Sequence, residues 1–293
     1  MNNDHNLRPM DTQIPNIAGK GRGAVSNQTG RFEGYEAMAI DDGWNSPLDE
    51  DLPPLRTTVT PDATRTIIAR NTSPDVPFDR SINPYRGCEH GCVYCFARPT
   101  HAFLGLSPGL DFETRLFYKP EAAALLEKEL RSPKYTCGVM AMGTNTDPYQ
   151  PIERELKLTR RILKVLATHD HPVSIVTKSS QIIRDIDILA PMAERRLAQV
   201  CISVTTLDRG LARKMEPRAP TPARRLETIR ALTGAGIPCG VMAAPMIPVL
   251  TDPELESILE AAKAAGAHMV GYVLLRLPLE IKELFREWLD AHV

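Results

Sequence analysis

From residue 81 onward, short runs of apolar and β-branched residues alternate with windows whose apolar positions recur every three or four residues. The strand-like runs are 81–85, 138–142, 173–177, 200–205, 239–243 and 269–275. Between them the pattern predicts helices with punctuated ends. One runs from Pro120 to Leu130 and stops at Ser132-Pro133. A second follows Pro151, with Ile152, Leu156, Ile162, Leu163 and Leu166 on one stripe, and a third spans Ile182 to Leu197. Pro222 to Ala235 is closed by Gly236, and Asp252-Pro253 supplies an N-cap and first-turn proline before Leu255, Ile258, Leu259 and Ala262. The last runs from Glu280 to Ala291.

Six strand–helix units in about 210 residues imply an α/β fold, with a parallel sheet flanked by helices. The closed eight-fold barrel needs about 250 residues. Periodicity alone leaves an open doubly wound sheet and a six-unit partial barrel. In both, the loops at the carboxyl ends of the strands carry the chemistry.

The first 80 residues follow a different composition. They hold 8 Lys/Arg against 12 Asp/Glu, whereas residues 81–293 hold 27 against 24. Eight prolines and polar stretches such as Gly19–Ala24 and Asp49–Pro54 leave little apolar surface to offset ordering entropy. Residues 1–55 are therefore expected to be a flexible or irregular extension, and 56–80 a lead-in segment with one β-branched run at Thr64–Ala69. The whole chain of 293 residues carries a formal charge of −1, so no global polybasic field is present to hold nucleic acid. Its most apolar stretch, Gly236–Leu250, is too short for a bilayer and is broken by Pro238, Pro245 and Pro248. No membrane association is expected, and the N-terminus lacks the apolar core of a secretory signal, so the expected location is the cytoplasm.

Six cysteines occur, and three of them fall within eight residues, at Cys88, Cys92 and Cys95. In a reducing compartment such a cluster reads as a metal site. Two centres suit it: a zinc ion, which wants a fourth ligand that His90 inside the loop can supply, or an iron–sulfur cluster. Cys137, Cys201 and Cys239 stand apart, in or beside strands, and are expected to be small buried hydrophobes. Three thiolates on a four-iron cubane leave one iron without a protein ligand, and an open metal position is the mark of catalysis.

The run Cys88-Glu-His-Gly-Cys-Val-Tyr-Cys95, placed directly after the first strand, resembles the radical S-adenosylmethionine (SAM) superfamily. Asn83–Cys95, Gly143–Glu153, Thr177–Ser179 and Cys201–Thr206 narrow the likeness to the branch of spore photoproduct lyase and DNA-repair-photolyase-like proteins. The resemblance covers roughly residues 80–277 and implies the six-unit partial (β/α)6 TIM-type barrel over residues 81–293. It further implies a 4Fe–4S cluster on Cys88, Cys92 and Cys95, with SAM on the open iron. One-electron cleavage of SAM then yields a 5′-deoxyadenosyl radical that takes hydrogen from a substrate, for which a DNA lesion is a candidate. A low-potential electron donor of the flavodoxin or ferredoxin type is implied as a partner. In the family the position of Tyr94 lies against the adenine. The loop of Gly143, Thr144 and Asn145 meets the methionyl amino group, the position of Lys178 meets the SAM carboxylate, and that of Ser203 touches SAM. Each also has a plainer reading, namely loop packing, a helix-capping turn, an exposed lysine and a buried hydroxyl. Arg276 is expected at the cavity or in a surface ion pair; His101 and Asp208 have no assigned role.

One feature departs from the lyase, which uses a cysteine after strand two as a hydrogen-atom donor. Residues 143–153 here contain none, and Thr144, Asn145 and Thr146 stand there instead. The competing functional class is a non-enzymatic zinc-binding module built on Cys88, His90, Cys92 and Cys95, with nucleic-acid contact through the Gly-rich tail.

Overall fold

The computed structural model describes residues 21–34, 55–74 and 76–293. Its strands are β1 (Thr58–Pro61), β2 (Ile68–Arg70), β3 (Arg80–Ile82), β4 (Tyr85–Arg86), β5 (Arg115–Tyr118), β6 (Met140–Met142), β7 (Val173–Thr177), β8 (Ala198–Ser203), β9 (Cys239–Met246) and β10 (Met269–Leu274). Seven form one sheet in the order β10-β9-β8-β7-β6-β3-β2. From β3 to β10 every pairing is parallel, and β2 adds an antiparallel edge. The sheet is mostly parallel and the fold is α/β. Neighbours in sequence are neighbours in space throughout this run, so all of its crossovers go the same way.

The first expected strand is split. Pro84 offers no N–H to a ladder, so β3 ends at Ile82, and β4 turns into a second, three-stranded sheet of order β1-β5-β4. Of the β-branched run Thr64–Ala69 before it, only Ile68 and Ala69 enter a strand, β2.

Helices α1 (Ala122–Leu130), α2 (Leu158–Thr168), α3 (Ile186–Glu194), α4 (Arg209–Met215), α5 (Pro222–Gly234), α6 (Leu255–Ala264) and α7 (Ile281–His292) complete the frame. The sequence pattern did not predict α4, a short helix whose N-cap Asp208 accepts from the amides of Gly210 and Leu211. In α2, Leu158, Ile162, Leu163 and Leu166 are buried while its lysines and arginines lie on the other side. They pack on Met140, Met142, Val173, Ile175, Val200, Ile202, Cys239 and Val241, one face of the sheet, which forms the main core. Cys239 is buried there as expected, but Cys137 is exposed because β6 starts only at Met140 and the preceding residues are loop.

Helix α7 does not cover the last strand. Phe285 and Trp288 pack instead on Cys92, Val93, Tyr94 and Met215, and Val270, Tyr272 and Leu274 of β10 stay exposed.

Residues 21–34 of the expected flexible or irregular extension have no regular secondary structure but are tied to the body of the fold. The Glu113 carboxylate, buried without a solvent contact, accepts from the amides of Gly23 (3.0 Å) and Ala24 (2.8 Å). Arg22 donates to the carbonyls of Glu113 and Leu55, Ser26 and Gln28 donate to Glu287, and Arg31 forks onto Glu280. This strap is held by buried hydrogen bonds rather than by apolar area, so its contacts leave no mark in the composition. The remainder of that extension, residues 1–20 and 35–54, lies outside the described residues.

Candidate active site at the cysteine loop

The cysteine loop leaves β4 through Gly87, whose φ of +77° and close neighbours (Leu116 at 2.7 Å and the Phe112 carbonyl at 2.8 Å from any added Cβ) exclude a side chain. Its backbone is then gripped from three sides. Gln150 accepts from the Glu89 amide (2.9 Å) and donates to the Gly87 carbonyl (3.1 Å). Arg98, fully buried, donates to the carbonyls of Gly91, Cys92, Pro108 and Gly109 and pairs with Glu113. On the far flank the Val93 amide bonds the Met215 carbonyl and the Arg218 amide meets the His90 carbonyl. A loop so held is preorganised before any ligand arrives.

Cys88 and Cys92 are buried and Cys95 is half-buried. Burial, with the nearby Asp147 carboxylate and the other two thiols, raises Cys88 well above an ordinary thiol, against one favourable backbone donor at Asp147. Burial likewise raises Cys92, although Lys178 opposes it. Cys88 and Cys92 thus sit where burial favours the neutral thiol, and a bound metal would supply the positive charge that favours their thiolates. Among the described residues, no three His, Cys, Asp or Glu side chains close on one point as the ligands of a single ion do. His90, the fourth ligand of the zinc reading, is instead 3.3 Å from Asp147.

Two of the residues predicted around the thiols meet directly: the Lys178 ammonium stands 5.7 Å over the ring of Tyr94. Tyr94 is buried, and its hydroxyl bonds Glu216 and lies 3.2 Å from Thr205. Gly143 has φ +85° because the Val176 carbonyl of β7 would stand 1.9 Å from a Cβ, so close passage of two strand ends explains this glycine. Thr144 and Asn145 are hung on Asn83, which donates to the Thr144 hydroxyl (3.4 Å) and accepts from the Asn145 amide (3.1 Å). Ser203, buried at the end of β8, has its carbonyl bonded by Arg225 and makes no hydrogen bond to Lys178 or Tyr94 among the described residues. His101 is buried and bonds the Arg115 carbonyl through Nε2.

Asp147 was legible in the sequence only as a turn former, and it does cap Tyr149. Its carboxylate also accepts from the Thr177 hydroxyl (2.6 Å) and the Lys178 amide (2.8 Å). Burial would raise this carboxyl, but His90, the Thr177 hydroxyl and the Lys178 amide outweigh it and hold it at about 2. A groove of about 900 Å³ also borders the loop, along Glu89, His90, Ser179 and Arg218, but none of the three thiols lines it.

A family model for the radical SAM superfamily matches residues 82–262. An uncharacterized protein of Mycobacterium tuberculosis is 42% identical over 216 residues, covering 73% of this chain and 64% of the relative. An uncharacterized protein of Methanocaldococcus jannaschii is 30% identical over 173 residues, covering 59% of this chain and 62% of its own length. The matches therefore span less than two thirds of the relatives. Among solved structures, spore photoproduct lyase complexed with dinucleoside spore photoproduct superimposes with a TM-score of 0.56 at 16% identity, over 79% of this chain and 66% of the lyase. That likeness is one of fold. With the family match extending from the first parallel strand through α6, the chain belongs to the radical SAM superfamily.

Proposed function

We propose that this protein is a radical-SAM enzyme, with residues 81–293 forming a partial (β/α)6 barrel around its site. Cys88, Cys92 and Cys95 hold a 4Fe–4S cluster, and SAM binds against Tyr94, Gly143, Thr144, Asn145, Lys178 and Ser203. When bound, the reduced cluster supplies the electron that cleaves SAM to a 5′-deoxyadenosyl radical for hydrogen abstraction. The observation that carries this reading is the thiol loop following the first parallel strand, with an ammonium fixed over the ring between two of its cysteines.

The residues have separable tasks. The three thiols bind metal as thiolates, and burial makes Cys88 and Cys92 depend on that metal for their charge. Lys178 presents a cation to a carboxylate at the ends of β7 and β8. Asn83 fixes the loop after β6, accepting from the amides of Asn145 and Thr146 and donating to the Thr144 hydroxyl. The zinc-module reading gains no support from the comparisons, whose family match is to the radical SAM superfamily. A low-potential flavodoxin- or ferredoxin-type protein is the expected electron source, in the cytoplasm; no helix among the described residues is long and apolar enough to cross a membrane.

The test is anaerobic reconstitution with iron and sulfide, dithionite reduction and addition of SAM. A cluster spectrum followed by 5′-deoxyadenosine is expected; neither appearing overturns the proposal. A DNA lesion is the first substrate class to assay, because the lyase of similar fold has been solved with a dinucleoside lesion. Residues 143–153 lack a thiol, so reversal here needs another hydrogen donor. Labelled hydrogen that never exchanges between SAM and lesion-bearing oligonucleotides removes DNA from consideration.

A further inference from the structure

We infer that Glu216, fixed by Arg225, is the positioning residue of the SAM pocket, locking the Tyr94 ring to the ends of β8 and β9. The inference rests on the SAM-binding reading above. Glu216 is 1% exposed and Arg225 is 1% exposed, so the pair is withdrawn from water. A buried ion pair adds little net stability compared with apolar packing, but removing one partner is costly, which makes it a fixed point. Both side chains of the pair are saturated by groups around the candidate site.

Glu216 Oε1 takes the Tyr94 hydroxyl and lies 2.7 Å from Thr205 Oγ1, while Oε2 takes Arg225. Arg225 reaches on to the carbonyls of Ser203 (3.2 Å) and Pro220 (2.8 Å). Thr205 Oγ1 is also 3.0 Å from the Ala244 carbonyl, at the end of β9. One carboxylate thereby joins the cysteine loop to two neighbouring strand ends and to α5. The segment that bears it is already bonded to the loop at two other places, Val93 to Met215 and Arg218 to His90.

The geometric consequence falls on Tyr94. A phenyl ring in a loop tilts about its side-chain torsions, whereas a ring anchored at its hydroxyl and packed at its base keeps one plane. Lys178 stands over one face of that ring at 5.7 Å. Anchoring the ring therefore fixes both a flat surface for a conjugated ligand and the seat of the cation beside it. The hydroxyl is consumed in this tie, which makes Tyr94 a platform and leaves it no proton to offer a substrate. Glu216 acts only through Tyr94 and Thr205.

The experiment compares Tyr94→Phe, Thr205→Val and Thr205→Ser with wild type after reconstitution. It reads iron and sulfide content, the paramagnetic resonance of the reduced cluster with and without SAM, and SAM Kd. Tyr94→Phe keeps the ring and breaks the tie. We expect wild-type cluster content and an unchanged SAM-free spectrum, with SAM bound about tenfold more weakly, the size of one hydrogen bond to a charged group, and a broadened SAM-induced signal. Thr205→Val moves in the same direction and Thr205→Ser restores wild-type behaviour. Wild-type affinity and signal in both Tyr94→Phe and Thr205→Val overturn the inference while leaving the functional reading intact. Loss of the cluster itself in these variants also overturns it, by showing that the tie folds the loop. Wild-type protein that assembles no cluster sinks the functional reading, and the inference with it.

Discussion

The imidazole of His90 and the carboxylate of Asp147 stand 3.3 Å apart, both almost removed from solvent. Asp147 also takes the Thr177 hydroxyl and the Lys178 amide, so one side chain ties the cysteine loop to the loop after β6 and to the end of β7. These three segments are more than 50 residues apart in the chain at the extremes, and the site exists only where they meet.

Replacing Asp147 therefore loosens the site from its centre. Asp147→Ala strands several buried donors, each worth about 1–3 kcal/mol when left unpaired, and is expected to lower the unfolding free energy of the metal-free protein by about 3 kcal/mol. Asp147→Asn keeps the shape and an acceptor for Thr177 and retains about half of that. Urea unfolding of the three proteins checks the order; equal midpoints for Ala and wild type would show that the ties carry no energy.

The isolated cysteines offer a cleaner separation of roles. Cys137 is exposed, Cys201 half-buried and Cys239 buried among core residues, and none adjoins the loop thiols in sequence. The combined Cys137→Ser/Cys201→Ala/Cys239→Ala protein is expected to take up as much iron and sulfide as wild type. Any single Cys88→Ala, Cys92→Ala or Cys95→Ala variant is expected to hold little of either. Iron analysis decides, and retention in all three loop variants would refute the ligand assignment.

Much of the frame was readable because burial forces a pattern on the sequence. Residues 173–177 alternate around a buried face and became the strand expected, whereas the helix expected after Pro151 is broken at Lys157 (φ 51°), leaving Leu158–Thr168 as its longer part. The cysteine loop was readable because its chemistry is local. What joins the loop to the rest was not: Glu216 sits in a turn after a helix of seven residues, and Arg98, Glu113 and Asp147 look like ordinary charged surface positions until the fold buries them. Charged residues in the interior carry no periodic signature, since their partners are set by tertiary contact. The strap at residues 21–34 was missed for the same reason, its anchor Glu113 being about 90 residues downstream.

Acid should weaken the fold through two histidines. Burial lowers His101 below the ordinary imidazole value of about 6.5, and burial lowers His171 as well. A lowered folded value means the neutral ring favours the native state. Stability is then fully present above about pH 6.5 and declines as pH falls below it, by up to about 1.4 kcal/mol per pH unit for each proton taken up. His101 packs edge-on against Phe112 with centroids 5.2 Å apart, so His101→Phe fits the same aromatic site. The variant is expected to show a shallower loss of unfolding free energy between pH 7.5 and 5.5. Parallel profiles for the two proteins would exclude His101 as a source.

The strap makes a prediction that turns on a single methyl group. A Cβ on Gly23 would stand 1.7 Å from the Gly91 carbonyl oxygen, a backbone atom of the cysteine loop that Arg98 already holds in place. Neither backbone can yield locally, so Gly23→Ala must lift the strap and break the Gly23 and Ala24 amide bonds to Glu113. Glu113 would keep Arg98 but lose two donors, and the fold is expected to lose about 2–4 kcal/mol. Gly34 has nothing within 4 Å of an added Cβ and no positive φ, so Gly34→Ala should leave stability within about 0.5 kcal/mol. Limited proteolysis should cut the Gly23→Ala strap faster than the wild-type strap, with the Gly34→Ala protein unchanged. Because the strap lies directly on residue 91, between two of the thiols, the same variant should lose reconstituted iron to air faster. If it holds iron as wild type does while its strap is cleaved, the strap serves the fold and not the cluster.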